Sequence, residues 1–195
     1  MDYAELAPQL QTADIFLFNG TTAVSAIIDE ITHSPFSHIG MVYRTPGSSG
    51  ADGLRLWQSF EPEGGVVDDE LRPFLVKYQA TEAGSSFAAR QLIVTRTPAM
   101  LAAAEAFMAK VKGAKFPDTL PWIRNYLAAC LGVANTDGTY DCSQYVAESY
   151  MAMGLLKTWP LGAVYTPGRF AVEAYDLQLQ LGAVFGDQLP VTLTA

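Results

Sequence analysis

Short apolar runs separated by turn-forming residues fill the first half of the chain, and helix-period apolar stripes dominate the second. The run Asp14 to Phe18 predicts a first strand, closed by the turn pair Asn19-Gly20. Residues 21–32 then read as a helix. Thr21 or Thr22 can cap it, and Ala23, Ile27, Ile28 and Ile31 form its apolar stripe. His33-Ser34-Pro35 ends that helix, with His33 as a residue of its C-terminal cap. A strand is expected over Ser37 to Tyr43, then a loop of turn formers over Thr45 to Gly53 and a strand over Leu54 to Phe60. Gly64-Gly65 punctuates, Val66-Val67 suggests a short strand, Asp69 to Leu75 a short helix, and Ala88 to Thr95 a further strand.

The second half is helical in pattern. Pro98 to Val111 has Pro98 placed for a first turn, and Leu120 to Leu131 follows. A polar loop over Gly132 to Thr139 leads to a third helix from about Cys142 to Gly154. Between Phe170 and Ala195, alternation around Leu177, Leu179, Leu181 and Val184 suggests one or two strands. No repeat, linker or boundary interrupts the chain, so a single domain over 1–195 is expected. The order implies an α+β fold, an antiparallel sheet packed against helices, with the helices segregated to one side.

Composition narrows the class. Half of the 195 residues are hydrophobic and 16% are charged, which excludes disorder. That apolar content reflects either a large Ala-rich core or a surface with a lipid-facing patch. A net charge of -8 without a basic patch argues against nucleic acid as a partner and against attraction to anionic membranes. No apolar run is long enough for a transmembrane segment, and the opening MDYAELAPQLQTAD lacks the pattern of a signal peptide, so a cytoplasmic location is expected. The two cysteines and two histidines are not in close pairs, so neither a zinc site nor another cofactor is expected.

Chemistry gathers around Cys142. A thiolate is a strong nucleophile, and a helix N-terminus with a nearby histidine lowers its pKa. Cys142 opens the helical pattern CSQYVAESYMAMG behind Asp141 or Thr139 as a cap, whereas Cys130 lies inside the apolar run LAACLG and reads as structural. His38 begins a strand and shares a face with Gly40 and Val42, and Gly40 leaves room beside the imidazole for a helix or a substrate. A base needs a third group to hold its tautomer. Gln58, in LRLWQSF, suits that role, with Glu61 and Glu63 as nearby alternatives.

The segments TADIFLFNG, FSHIGMVYR, LWQSFEPEGGVV and YDCSQYVAESY, with a later VYTPGRF, resemble the NlpC/P60 superfamily of papain-like enzymes. The order His, polar residue, Cys resembles its circularly permuted branch, which contains the YiiX/YaeF-like bacterial proteins and related poxvirus proteins. The resemblance implies a circularly permuted papain-like fold with Cys142 as nucleophile, His38 as base and Gln58 as orienting group. Two departures stand out. Ala13 replaces a usual glycine, and Gln58 stands where the permuted relatives carry glutamate.

The implied reaction is attack of Cys142 on an amide, ester or thioester carbonyl, giving a thioacyl-enzyme that water or another nucleophile releases. The Cys142 backbone N–H would form part of an oxyanion hole, with Tyr140 or Tyr43 as a further donor. The substrate class is a small-molecule, peptide or lipid acyl compound, with peripheral membrane contact left open. Met151, Met153, Leu155, Leu156 and Trp159 either line an acyl groove or pack in the core. The competing reading is a non-catalytic binding or structural protein on the same scaffold.

Overall fold

The structure, a computed structural model, describes residues 1–20, 34–82, 84–171 and 177–194. The predicted helix over 21–32 and its cap His33 lie outside the described residues. The described elements are α1 (Tyr3–Leu6), β1 (Ile15–Asn19), β2 (His38–Arg44), β3 (Leu54–Phe60), β4 (Gly65–Glu70) and α2 (Leu71–Thr81). They continue with β5 (Ser86–Ile93), α3 (Pro98–Val111), α4 (Thr119–Cys130), α5 (Cys142–Ala152) and β6 (Val184–Val191). The six strands form one antiparallel sheet in the order β4-β3-β2-β1-β5-β6. Among the described residues no helix is long and apolar enough to cross a membrane.

Strands β1 and β2 are buried at alternate positions on both sides. Ile15, Leu17, Ile39, Met41 and Trp57 pack with Cys142, Val146 and Tyr150 of α5 and with Met100, Ala104 and Met108 of α3. Phe16, Phe18, Val42, Leu54 and Leu56 pack on the opposite face with Leu71, Phe74, Leu75 and Tyr78 of α2 and with Tyr3, Leu6 and Leu10 of the N-terminal segment. Each Val, Leu, Ile, Phe or Met side chain among them contributes about 1.5–3 kcal/mol by burial. Helices therefore cover both faces of the sheet, which corrects the expectation that they lie on one side. The cause is legible in IFLFN, which is almost continuously apolar. A strand of that kind has two faces to bury and needs a layer on each.

Two boundaries also differ from expectation. Asp69 and Glu70 belong to β4, so α2 starts at Leu71 and runs to Thr81, with Pro73 in its first turn where no backbone donor is needed. The C-terminal region holds one described strand, Val184–Val191, and Leu177 to Leu181 precede it without joining the sheet.

Candidate functional site

Three elements converge where β2 begins. Pairing of β2 with β3 runs from Arg44↔Leu54 to Met41↔Trp57 and goes no further toward the start of β2, while Gln58 to Phe60 stay paired to β4. The two strands therefore part at His38 to Gly40. In this opening the Ile39 backbone N–H is directed to the sulfur of Cys142.

Cys142 is the first residue of α5. Asp141 is the N-cap, accepting from the Gln144 N–H at 2.7 Å and the Ser143 hydroxyl at 2.9 Å. Thr139 instead bonds Asp137, which settles the two capping alternatives in favour of Asp141. Trp122 donates its indole N–H to Asp141 at 3.2 Å, tying α4 to the same cap.

His38 and Gln58 come together. His38 Nε2 lies 2.7 Å from Gln58 Oε1, and Gln58 Nε2 donates to Asp69 Oδ2 at 2.8 Å. The imidazole packs between Phe18 and Phe60, with ring centroids 5.2 and 5.1 Å away. Of the groups considered beside Gln58, Glu61 lines the neighbouring cleft and Glu63 pairs with Lys77. The pleat turns His38 and Gln58 to the α2 face, whereas Cys142 packs from the α3–α5 face. The opening between β2 and β3 is where the two layers meet, and no hydrogen bond joins Cys142 to His38 there.

Burial governs the electrostatics of both groups. It pushes the Cys142 thiol up to about 12, reinforced by the Asp141 charge and opposed by the Ile39 and Ser143 backbone N–H groups. It pushes His38 down to about 4, against the hydrogen bond with Gln58. Asp141 is itself raised by burial. At neutral pH the thiol and the imidazole are both uncharged.

A cleft of about 360 Å³ opens beside the thiol, lined by Ser37, Glu61, Phe116, Asp118, Trp122 and Ser143 together with Cys142. Its wall depends on Gly65. Val66 N–H donates to Ala114 O at 2.8 Å, Gly113 N–H to Val66 O at 3.0 Å and Phe116 N–H to Gly64 O at 3.0 Å. A Cβ on Gly65 would lie 1.9 Å from Ala114 O, so only glycine admits this backbone. Tyr140 N–H then donates to Lys115 O and the Ser59 hydroxyl to Tyr140 O, which sets the approach to Cys142.

Several expected site features lie elsewhere. Gly40 offers no room to a substrate, since a Cβ there would meet Leu56 Cδ1 at 2.7 Å. Tyr43 stacks on Trp57 and donates to Glu105 at 2.6 Å, about 16 Å along β2 from His38 at ~3.3 Å per residue. Tyr140 is edge-on to Phe107, and burial with the nearby Glu148 pushes its hydroxyl up to about 12. Of the residues read as either an acyl groove or core packing, Met153, Leu155 and Leu156 are buried in the core, Met151 packs against it and Trp159 is exposed, so none lines the cleft. Cys130 is exposed at the end of α4 and is a free thiol, as is Cys142. Sequence reasoning missed Asp69, Ser37 and Trp122. None of the three left a signal: Asp69 shares a face with Gln58 only through the pairing of Gln58 with Val67, a register that the sequence does not carry.

No protein-family model matches the chain, and no curated protein matches it. Among solved structures it is similar to the crystal structure of metalloprotein yiiX from Escherichia coli O157:H7, at 17% identity and a TM-score of 0.54. The match covers 73% of this chain and 66% of that one, just under two thirds of the neighbour's length. Among the described residues of this chain, no group of three His, Cys, Asp or Glu side chains is placed to hold a metal ion. At this identity the likeness is one of fold, an α+β architecture shared with a YiiX-type protein.

Proposed function

We propose that the chain is a cysteine-nucleophile hydrolase or acyltransferase on a circularly permuted papain-like scaffold of the NlpC/P60 kind. The observation that carries this reading is the hydrogen-bonded His38–Gln58 pair, set on strands that part where the Cys142 sulfur meets the Ile39 N–H beside an open cleft. Because thiol and imidazole are neutral at rest, His38 takes the sulfur proton as the C–S bond forms. The Cys142 backbone N–H stabilises the oxyanion, and His38 returns the proton to the leaving amine, alcohol or thiol. Water or an acceptor nucleophile then cleaves the thioester. The charged side chains lining the cleft, Glu61, Asp118 and Asp141, are all acidic, which favours acyl groups without a negative charge near the scissile bond. A lipid acyl group fits this reading, since α4, whose first turns line the cleft, exposes Leu120 and Leu127, with Leu131 exposed just after its end, and suits peripheral membrane contact. A cytoplasmic location belongs to the same proposal.

The test is adduct formation. The protein is mixed with nitrophenyl esters of short and long acyl groups, and intact mass is followed in time. A transient acyl adduct on Cys142 is expected, absent from Cys142→Ala and slowed on the order of 10²-fold or more in His38→Ala.

A non-catalytic binding protein is the second reading. It is favoured by the neutral, buried state of both groups and by the sheet plane between their packing layers. Absence of any Cys142 adduct across the ester series would decide for it.

A further inference from the structure

We propose that Asp69 is a positioning residue whose carboxylate fixes which end of the Gln58 amide faces His38, and thereby which imidazole nitrogen is free to act as base. The inference rests on the reading of His38 as a base, and it deepens that reading.

An amide side chain has an accepting end and a donating end of nearly the same shape, so orientation must come from its partners. Gln58 is fully buried between two such partners. A carboxylate only accepts, so Asp69 Oδ2, 2.8 Å away, selects the Nε2 end of Gln58. The carbonyl end is then left for His38, 2.7 Å away, and accepts a hydrogen bond from its Nε2–H. The neutral imidazole is thereby held as Nε2–H, with Nδ1 bearing the lone pair. Turning the amide over would place two donors against His38, force the proton to Nδ1 and leave that nitrogen unable to act as base.

The register supplies this partner. Gln58 pairs with Val67, so Asp69 is the diagonal neighbour on the same face of β4, within reach of a long side chain. Burial raises the Asp69 pKa, as do the charge of Glu63 and a hydrogen bond with its carboxyl group, while the Gln58 amide and Lys77 of α2, which pairs with Glu63, oppose that rise. The carboxylate that the permuted relatives place directly on the histidine is here one link further back, with the amide between.

Histidine tautomers are read by long-range ¹H–¹⁵N correlation spectra of protein carrying ¹⁵N-histidine at pH 7.5, with His38→Gln separating the signals of His33 and His38. The native protein is expected to give an Nε2–H pattern for His38. In Asp69→Asn the new amide can donate to Gln58, so its carbonyl can turn away and the Nδ1–H form is expected to become populated. Asp69→Ala tests the same point without a new donor. The double variant Gln58→Glu, Asp69→Asn reverses donor and acceptor between the two positions and is expected to restore Nε2–H. In the ester assay, Asp69→Asn is expected to lose on the order of 10²-fold in kcat with little change in KM, and the double variant to recover most of it. An unchanged Nε2–H pattern in folded Asp69→Asn and Asp69→Ala overturns the inference. The spectra need no turnover, so a protein without esterase activity in any form defeats the enzymatic reading while the tautomer still decides this one.

Discussion

The resting reactivity of Cys142 separates a buried neutral thiol from a preformed ion pair. Burial moves the thiol from an ordinary 9.0 to about 12, three units. At pH 7 the thiolate fraction is then about 10³-fold below that of an ordinary thiol. The more basic thiolate is also the better nucleophile, by about 20-fold over three units at a Brønsted slope of 0.4–0.5. The two effects together leave Cys142 roughly 50-fold slower than the same cysteine in the unfolded chain, before any loss from restricted access. The assay is reaction with a small aromatic disulfide between pH 6 and 10, with mass spectrometry resolving Cys142 from the exposed Cys130. The urea-unfolded protein serves as the reference. Disulfide exchange proceeds from thiolate already formed, unlike the acyl attack in which His38 takes the proton, so the folded rate at Cys142 should climb tenfold per pH unit through this range and change little in His38→Ala. A rate at pH 7 equal to or above the unfolded one, levelling off below pH 8 and lost in His38→Ala, would refute the argument. Burial would then not control the thiol, and the site would hold an imidazolium–thiolate pair.

Three further outcomes follow from named contacts. His38 ionises near 4 in the fold against 6.5 unfolded, so its contribution is fully present above pH 6.5 and lost as pH falls toward 4. At 1.36 kcal/mol per unit this is about 3 kcal/mol, and His38→Gln should shrink the gap between urea midpoints at pH 7.5 and 4.5 accordingly. Gly65→Ala drives a methyl against Ala114 O and breaks the hydrogen bonds between Val66 and residues 113–114. Equilibrium unfolding should show a loss of about 3 kcal/mol, against about 1 kcal/mol for Gly64→Ala, where space is open and only the φ of 84° resists. Gly40→Ala meets the flexible end of Leu56 and should cost about 1–3 kcal/mol, partly recovered by adding Leu56→Val; no recovery would mean that another neighbour opposes the methyl.

Elements with both ends marked were legible in the sequence. The strand Leu54–Phe60 lies between Gly53 and the Glu61-Pro62 turn, and the helix Pro98–Val111 follows the capping Thr97, whose side chain accepts from Met100 N–H. Of the three residues expected at the site, His38 stands at a strand start, Gln58 within a strand and Cys142 at a helix start, placements that the local pattern marks. Their mutual arrangement was not legible, because it depends on register between elements. Gln58 and Asp69 meet only because β3 and β4 pair with Gln58 opposite Val67. Tyr43 misses the site because it lies at the far end of the strand that His38 begins, and Gly40 is filled by a residue of the neighbouring strand. The short helix Tyr3–Leu6 went unseen because four residues carry no period.

The two positions at which the sequence departs from the motifs it resembles have different physical accounts. Gln58 bridges His38 to the carboxyl group of Asp69, so the departure changes which group touches the imidazole. Ala13 keeps a backbone shape that suits glycine, with φ at 73°. This shape is required because the Ala13 N–H donates to Val42 O, its carbonyl accepts from the Tyr150 hydroxyl, and the next residue, Asp14, must accept from Leu92 N–H and pair with Arg96. A left-handed alanine costs about 1–2 kcal/mol. Its methyl is fully buried in the core and returns about 0.8 kcal/mol, and glycine would lose a further 0.5–1 kcal/mol, roughly, in backbone entropy. These terms cancel to within about 1 kcal/mol, so Ala13→Gly should leave the urea midpoint nearly unchanged. A gain above about 1.5 kcal/mol would mean that the methyl is poorly packed, and a comparable loss that the left-handed shape is nearly free of strain here.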